Sequence, residues 1–478
     1  MPIFAEKNVP SREKRCSALS AYQGTIRSLL DEFAAAEGQQ NIRTFTQANP
    51  DDILAALSLL CTIRDAVVVV HGAIGCGAAC LDLCRGNSST WYSTALDEKD
   101  TILGGDAKLR DTITRAYHEQ HPKVIFIVST PVVAINNDDI NSAIFELEGE
   151  LDCKIISVVT DGFKSKTAVN GIDVALHSIG KHLIGVGLES RDCIDAGLKV
   201  GEFINLIAVD ENRRSVDSLV SLLRLILPDK FGVNVIPKFA DSAQIVCAGS
   251  ARANIAINDS QSDVFLKGLE EKTGVVSLRS RTPIGIKATS EWLLSVGTLL
   301  GWKDIAQRVA EAQCEQFAEL FTKKPMAEKS VFIALPVEEA AETALFLAEL
   351  GADVMGISVD SADDTNSESF SRLPVDTPVY VGNGQPFELA NVFRKKCPFF
   401  FITGHKNIAW AAEAGAFPVS VEKQTRYGYE GAAELLRSLR RTETRPVFAG
   451  TLHAAPRCLY KDTWFKRSAN WYVKREVT

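Results

Sequence analysis

The sequence predicts an α/β protein of three Rossmann-like domains, each with a mainly parallel sheet flanked by helices. Short β-branched runs alternate with amphipathic segments along nearly the whole chain, which is the pattern of βαβ units. The chain has 478 residues, more than one hydrophobic core usually supports. Predicted strands end in small or polar residues, as at His71-Gly72 and Gly404-His405, and ligands bind at such strand ends in open α/β sheets.

Each predicted strand is a short run rich in β-branched or aromatic residues. The segments between them carry apolar residues at helical spacing, as in Glu338–Leu350. This alternation predicts parallel sheets with right-handed crossovers. The predicted strands are Ala66–Val70, Val124–Val128, Ile155–Val159, Phe203–Ala208, Val233–Pro237, Gln244–Ala248, Val331–Leu335, Val354–Ser358, Val379–Gly382 and Phe399–Thr403.

Composition suggests where the domains meet. The charged stretch Thr322–Lys329 precedes a strand and is typical of a linker, and a softer boundary falls near Gly197–Gly201. The aromatic tail, which contains Trp464 and Trp471, either packs on a partner subunit or folds back on its own domain. The predicted parts are an N-terminal arm (1–40), three α/β domains (41–200, 201–325 and 326–440) and a C-terminal tail (441–478).

Charge and composition exclude some classes of function. The net charge is −8 and no basic cluster carries interleaved aromatics, which argues against a nucleic-acid partner. Apolar runs are shorter than the roughly 18 residues of a membrane span, and the N-terminus lacks the apolar core of a secretory signal. The 11 cysteines are scattered, as in a reducing compartment. We expect a soluble, cytoplasmic protein with no membrane partner.

The most informative stretch runs from Val67 to Cys80. It predicts a buried strand that ends at His71, a glycine turn, and Cys76 at or near the start of a helix. Gly75 would let the backbone approach another object closely, and a helix start favours a thiolate. Such a cysteine suits iron or another soft metal, or attack on a substrate; a small buried cysteine in a strand–turn–helix is an equally good interpretation.

Two further cysteines follow at helical spacing. Cys76, Cys80 and Cys84 would form one stripe spanning about 12 Å at 1.5 Å per residue, which is too long to chelate one metal. Cys76 is therefore the ligand candidate, and the other two are expected to pack. Cys61, at the far end of a predicted helix, is expected in the core, as are Cys153 and Cys247.

A second motif follows the first by about 25 residues. It reads Asp97-Glu98-Lys99-Asp100, then Gly104-Gly105 and Lys108-Leu109. Together with His71-Gly72-x-x-Gly75-Cys76, it resembles the superfamily of nitrogenase component 1 and nitrogenase-like reductases. Further matches occur in the same order at Val128–Thr130, Asn137–Ile140, Leu269–Val275, Pro283–Thr289 and Tyr427–Ala432.

This resemblance implies an iron–sulfur protein that acts as one of two homologous subunits in an α2β2 heterotetramer. A P-cluster-like centre, either 8Fe-7S or 4Fe-4S, would be shared with the α-type partner. Electrons would come from an ATP-dependent reductase that carries a 4Fe-4S cluster. They would pass to a catalytic metallocluster in the partner, and burial and hydrogen bonds to sulfur would tune the potentials.

The chain departs from the family's ligand pattern. The full interface set has three cysteines per subunit; Cys76 matches the second, the stretch expected to hold the first contains none, and Pro131 stands in place of the third. Asp51 is a candidate metal ligand because some relatives use an aspartate nearby. Its alternative role is to cap the helix Ile53–Leu60.

The ligands of the active-site cofactor are also missing. Its cysteine would fall near Asn258, and its histidine would fall between Val421 and Arg426, but neither residue type occurs there. The resemblance therefore implies a β-type subunit. His71 would hydrogen-bond a cluster sulfur, gate protons or cap the strand turn, and His405 is a weaker candidate for a role.

The predicted function is that of an oxidoreductase subunit that relays electrons within a nitrogenase-like reductase. The opening, with Arg12–Arg15 and Gln23–Thr25, resembles methylthio-alkane reductases, which implies reductive cleavage of a C–S bond. Two alternatives stay open. One is a scaffold subunit on which a nitrogenase-type cofactor is assembled, and the other is a relative of the tetrapyrrole reductases.

Overall fold

A computed structural model of the chain describes most of its residues and groups them into two compact units. The first unit is drawn from residues 1–13, 50–210 and 229–279, and the second from 14–49, 211–228 and 280–478. The described residues are 2–6, 22–34, 52–78, 90–160, 168–185, 193–194, 196–321, 324–382, 386–404 and 408–454.

The first sheet of the first unit is parallel throughout and has the order β3-β2-β4-β5. Strand β2 is buried on both faces, since Val68 and Val70 join one apolar core while Val67 and Val69 join another. This explains why the strand reads as an unbroken apolar run. The strands are β2 (Ala66–His71), β3 (Trp91–Ser93), β4 (Val124–Ser129) and β5 (Lys154–Val158).

Helices cover both faces of this sheet, as expected of βαβ units. The first described α-helix of the chain, α1 (Ile26–Ala34), belongs to the second unit. The helices are α2 (Asp52–Leu60), α3 (Ile74–Ala78), α4 (Glu98–Leu103), α5 (Asp106–Gln120), α6 (Pro131–Asn136), α7 (Ile140–Leu147) and α8 (Ala168–His182).

The second sheet of the first unit is also parallel, with the order β7-β6-β8-β9. A row of buried asparagines crosses it, with Asn234, Asn205 and Asn254 side by side on neighbouring strands. The elements are β6 (Phe203–Ala208), α9 (Arg213–Arg224, in the second unit), β7 (Gly232–Pro237), α10 (Ser242–Val246), β8 (Asn254–Ala256), α11 (Asp259–Thr273) and β9 (Ser277–Leu278).

The predicted strand Gln244–Ala248 is wrong. These residues form the end of helix α10 and a 3-10 turn, Cys247–Ser250. The reason is a capping box, in which Asp241 accepts a hydrogen bond from the backbone N–H of Gln244 at 2.9 Å and Gln244 accepts one from the backbone N–H of Asp241 at 3.1 Å. This cap starts a helix despite the β-branched residues that follow.

The first described residues of the chain anchor onto the first unit. Phe4 is buried in a slot where Gly180 and Gly268 leave room for its ring, since a Cβ at either glycine would lie within 2.5 Å of it. The backbone N–H of Ile3 donates to Glu271 at 2.7 Å, and His177 Nε2 lies 3.0 Å from the Ile3 carbonyl. Helices α8 and α11 are thereby joined through one short segment.

The second unit is built on a six-stranded sheet with the order β1-β12-β11-β10-β13-β14. Only the β1–β12 pair is antiparallel among its described strands. The short strands β1 and β14 were not predicted from the sequence. The strands are β1 (Tyr22–Thr25), β10 (Ser330–Ala334), β11 (Asp353–Val359), β12 (Pro378–Val381), β13 (Phe400–Thr403) and β14 (Phe417–Ser420).

Helix α14 matches the predicted Glu338–Leu350 within one residue at each end. Three of its glutamates are buried, and two of them are paired with arginines of the same unit. The helices of this unit that follow α11 are α12 (Gly285–Leu300), α13 (Lys303–Phe321), α14 (Val337–Glu349), α15 (Ser367–Ser371), α16 (Pro386–Lys396), α17 (Ala409–Glu413), α18 (Gly428–Thr444) and α19 (Val447–Ala454).

The predicted fold class is confirmed, because the described residues form three mainly parallel sheets flanked by helices. The domain boundaries predicted from composition stay a prediction. In the described ranges, no helix combines the length and the apolar character needed to cross a membrane.

Candidate functional site at the carboxyl edge of the first sheet

The site begins where β2 ends. Gly72 turns the chain out of the strand, and its N–H donates to Thr94 Oγ1 at 2.9 Å while its carbonyl accepts from the Leu96 N–H at 2.9 Å. A Cβ on Gly72 would lie 2.0 Å from Thr130 Oγ1, so only glycine fits here. The turn is therefore fixed between the loops that follow β3 and β4.

Cys76 is the third residue of α3, one turn beyond that glycine. Its N–H donates to the Ala73 carbonyl at 3.0 Å, its side chain is partly exposed, and it takes no part in a disulfide. Cys61, by contrast, is buried in the apolar core, as predicted. The structure thus places the candidate thiol at the surface, on the edge of the sheet where ligands bind in open α/β folds.

Gly75 precedes this cysteine and is exposed, with no atom within 4 Å of where a Cβ would stand. Packing within the described chain therefore does not require a glycine at this position, in contrast to Gly72. The prediction that Gly75 allows a close approach by another object stays open to test.

Exposed apolar side chains lie on the helices of this edge, starting two residues before Cys76. Ile74, Ile102 and Ile135 are 70%, 82% and 71% exposed, and they come from three different helices of this edge. Ile74 and Ile102 line the same open groove, about 990 Å³ in volume. Asn136 donates to the Thr101 carbonyl at 2.8 Å, which holds α6 against α4. Contiguous apolar surface of this kind marks an interaction site. We call these three isoleucines together with Leu103 the apolar rim.

The second sequence motif builds the wall of this groove. Asp97 and Asp100 close a capping box at the start of α4, and Lys108 contacts both carboxylates. The backbone N–H of Asp100 holds the pKa of Asp97 below its usual value, and hydrogen bonding to Asp100 raises the pKa of Lys108. The acidic turn and the lysine thus fix the start of α4 against α5.

His71 lies beneath the turn and is completely buried. Its Nδ1 is 3.2 Å from Thr94 Oγ1, and its Nε2 is 3.3 Å from Asp138 Oδ2, at an angle that is poor for a hydrogen bond. Burial lowers the pKa of His71, although the charges of Asp138 and Asp106 act in the opposite direction. The ring is therefore held in its neutral form inside the chain.

Gly105 completes this buried cluster. A Cβ there would lie 2.9 Å from both Asp138 Oδ2 and His71 Cε1. From the sequence, Asp138 was identified only as part of a family motif, and its contact with His71 was not predicted. His71 ends β2, whereas Asp138 follows α6, the helix that comes after the neighbouring parallel strand β4. Only the fold brings the two side chains together. A role for His71 toward a cluster stays a prediction.

Asp51, Cys80, Cys84 and His405, singled out from the sequence, lie outside the described residues. Within the described ranges, no group of three or more His, Cys, Asp or Glu side chains is arranged to hold a metal ion. A metal bound at Cys76 would therefore need ligands beyond that part of the chain, as the incomplete cysteine set already suggested.

The two stretches in which the resemblance places the ligands of the family's active-site cofactor offer different side chains. Asn258 is buried at the start of α11 and offers a carboxamide where a thiolate would be needed. In the other position, Gln424 and Arg426 occur instead of histidine, and Arg426 is paired with Glu339 at 2.7 Å. Hard oxygen and nitrogen donors suit soft iron–sulfur clusters poorly. The described residues therefore do not support a cysteine- and histidine-held cofactor.

Fold and site together define a class: a multi-sheet α/β protein that presents a partly exposed cysteine and exposed apolar side chains at the carboxyl edge of a parallel sheet. Comparison with known proteins makes this more specific. The chain belongs to the nitrogenase component 1 type oxidoreductase family, whose sequence model matches residues 52–442.

Two relatives and one solved structure are representative. The chain is 24% identical over 374 residues to the nitrogenase iron-molybdenum cofactor biosynthesis protein NifE of Methanococcus maripaludis, covering 75% of each protein. It is 22% identical to the nitrogenase molybdenum-iron protein alpha chain of Methanothermobacter marburgensis, over 81% of this chain and 85% of that one. A structure described as nitrogenase Cp1 matches with a TM-score of 0.74 at 16% identity, over 87% and 97% of the two chains. That likeness confirms the fold.

Proposed function

We propose that this chain is a subunit of a scaffold on which a nitrogenase-type metal cofactor is assembled and handed over. It would share an iron–sulfur cluster with a homologous partner through Cys76. The main supporting observation is a partly exposed thiol on the same short helix as Ile74 of the apolar rim, in a chain whose described residues lack a complete ligand set. Similarity to proteins named for cofactor biosynthesis favours assembly over catalysis.

Cys76 would supply one soft thiolate to the cluster, and the partner would supply most of the others. Asp51 is the further candidate from this chain, as a hard ligand. When bound, an iron–sulfur cluster supplies reversible electron storage. The task of this chain is then to hold the thiolate in place and to exclude water. The hydrogen bonds of Gly72 to Thr94 and Leu96 would hold the turn that carries it.

The apolar rim is the surface for the partner. Isoleucines exposed by 70% or more on three adjacent helices are costly in water and gain free energy when buried. A homologous α-type subunit with a matching apolar face would bury them together with Cys76. The proposed assembly is an α2β2 heterotetramer served by an ATP-dependent 4Fe-4S reductase.

A second candidate is the predicted β-type electron-relay subunit of a nitrogenase-like reductase, including one that cleaves methylthio-alkanes. The observation that favours it is the carboxamide of Asn258 in place of a cofactor ligand, since a β-type subunit holds no catalytic cluster. Both candidates use Cys76 and the apolar rim in the same way. They differ in what happens to the cluster and its electrons.

The ligand assignment is tested by anaerobic co-purification with the homologous partner. Iron content and the EPR signal of the shared cluster are measured for wild type, Cys76→Ala, Cys80→Ala, Cys84→Ala and, as a control, Cys397→Ala. Cys397 is an exposed cysteine of the other unit. We expect Cys76→Ala alone to lose most of the cluster signal; equal spectra for all variants would overturn the assignment.

A second experiment separates the two functions. The purified complex is incubated with an apo-acceptor protein, and iron transferred to the acceptor is measured. In parallel, turnover of small reducible substrates, including methyl thioethers, is measured with the reductase and ATP. Transfer without turnover supports the scaffold, whereas turnover without transfer would replace it with the electron-relay subunit.

A further inference from the structure

The start of α11 has the residue spacing of a capping box, but the hydrogen bonds of the box are not made. Asn258 stands at the N-cap and Gln261 three residues later, the spacing at which two side chains reciprocally cap a helix. They are 2% and 9% exposed. Yet Asn258 makes no cap, and its Oδ1, its Nδ2 and Gln261 Oε1 have no hydrogen-bond partner among the described residues.

Other helix starts of the same unit show what this sequence pattern does when it closes. At α10, Asp241 and Gln244 exchange both hydrogen bonds, and at α4, Asp97 and Asp100 do the same. Buried polar atoms without partners are rare in folded proteins because they lose their hydration without compensation. The unsatisfied polar atoms of Asn258 and Gln261 therefore point to a ligand that supplies the missing hydrogen bonds.

The unpaired atoms specify the chemistry of that ligand. Asn258 Nδ2 and the start of a 15-residue helix favour negatively charged acceptor oxygens. Asn258 Oδ1 and Gln261 Oε1 require donors, which a small oxyanion can supply only through O–H groups. The carboxylate of Asp259 in the same turn disfavours a dianion. Side chains 258 to 262 contain no sulfur or imidazole, so soft iron finds no ligand in this turn.

We infer that the first turn of α11, with Asn258 and Gln261, binds a small protonated oxyanion instead of the cysteine-held cofactor expected there. This goes beyond the proposed function, because it adds a ligand site that is separate in sequence from Cys76 and its cluster. The closed box at α10 is the matched reference, since its two side chains already satisfy one another.

The test uses inorganic phosphate, which carries O–H groups, and sulfate, which lacks them near neutral pH. Phosphate binding to the purified full-length complex is measured by calorimetry for wild type, Asn258→Asp, Gln261→Leu and Asp241→Ala. Aspartate is as favourable as asparagine at an N-cap position but repels an anion, so Asn258→Asp is expected to keep the helix. Asp241→Ala loses a closed cap and controls for general destabilisation.

We expect phosphate to bind wild type and Asp241→Ala equally, and at least tenfold more weakly to Asn258→Asp and Gln261→Leu. Sulfate should bind more weakly than phosphate. The inference is overturned if wild type does not bind phosphate, or if Asn258→Asp binds it with unchanged affinity. Iron content should be the same in Asn258→Asp and wild type; a loss of iron would show instead that this turn holds metal. Neither result depends on the outcome for Cys76.

Discussion

Asn205 donates a hydrogen bond through Nδ2 to Asn254 Oδ1 at 2.7 Å, across the boundary between β6 and β8. Asn234 on β7 continues the row by donating to Asn205 Oδ1 at 2.9 Å, and Asn254 reaches Ser277 on β9 at 3.2 Å. The second sheet is thus crossed by a buried polar ladder that fixes the register of all four strands.

Replacing the central asparagine should break the ladder. Asn205→Leu removes both bonds to its neighbours and leaves an Asn234 donor and an Asn254 acceptor buried without them. We expect the free energy of unfolding, measured by urea denaturation, to fall by about 3 kcal/mol or more. Ser277→Ala, at the end of the row, is the control and should cost below about 1 kcal/mol. Equal losses would contradict the ladder.

The cluster around His71 predicts how stability changes with pH. Burial lowers its pKa in the folded chain below the usual value of 6.5, so the unfolded chain binds the proton more readily. The neutral His71 ring therefore makes its full contribution to the free energy of unfolding above pH 6.5, and this contribution is lost as pH falls below that value. His71→Gln should flatten this part of the stability–pH curve, measured by thermal unfolding.

The neighbouring carboxylate gives a second prediction at the same site. Asp138 raises the pKa of His71, so Asp138→Asn should lower that pKa further, followed by the ring resonances in NMR titration. Asp139→Asn is the matched control, because Asp139 is exposed and caps α7 through Ser142, a role that asparagine also performs. An equal shift in both variants would show that general charge, and not the contact, sets the pKa.

Gly72 and Gly75, which lie before Cys76, allow a packing requirement to be distinguished from a role in partner binding. Gly72→Ala should destabilise the first unit, because its Cβ would meet Thr130 Oγ1, whereas Gly75→Ala has open space and should change the free energy of unfolding by less than about 0.5 kcal/mol. If a partner approaches this turn, Gly75→Ala should still lower co-purification of that partner and of iron. Normal recovery of both would remove Gly75 from the proposed interface.

Helices and strands were predictable from the sequence where one hydrophobic pattern extends over the whole element. The unbroken apolar run of β2 predicted a strand buried on both faces, and Glu338–Leu350 predicted α14. The prediction failed at Gln244–Ala248, because a reciprocal cap outweighed β propensity. The asparagine ladder was not predictable, since its members lie 20 or more residues apart and asparagine is depleted in strands. At the site, the role of Cys76 stays a prediction from local chemistry, and the apolar rim comes from three helices that only the fold brings together.

The buried pair of Glu339 and Arg426 makes the last prediction, in the second unit. Both oxygens of Glu339 accept from Arg426 Nη1, at 2.7 and 2.8 Å, and one also accepts from the Tyr427 hydroxyl at 2.7 Å. The aromatic turn that starts α18 is therefore fastened to α14 through one carboxylate. Arg426→Met leaves this carboxylate buried without its cation, so we expect a loss of about 3–5 kcal/mol in unfolding free energy.

Glu339→Gln combined with Arg426→Met should recover part of that loss, because no isolated charge then remains. Tyr427→Phe removes one hydrogen bond from the same carboxylate and should cost only about 1 kcal/mol. Denaturant unfolding of wild type, Glu339→Gln, Arg426→Met and the double variant gives the coupling energy of the pair. If the double variant is no more stable than Arg426→Met alone, charge burial does not explain the loss, and packing of the arginine side chain would have to.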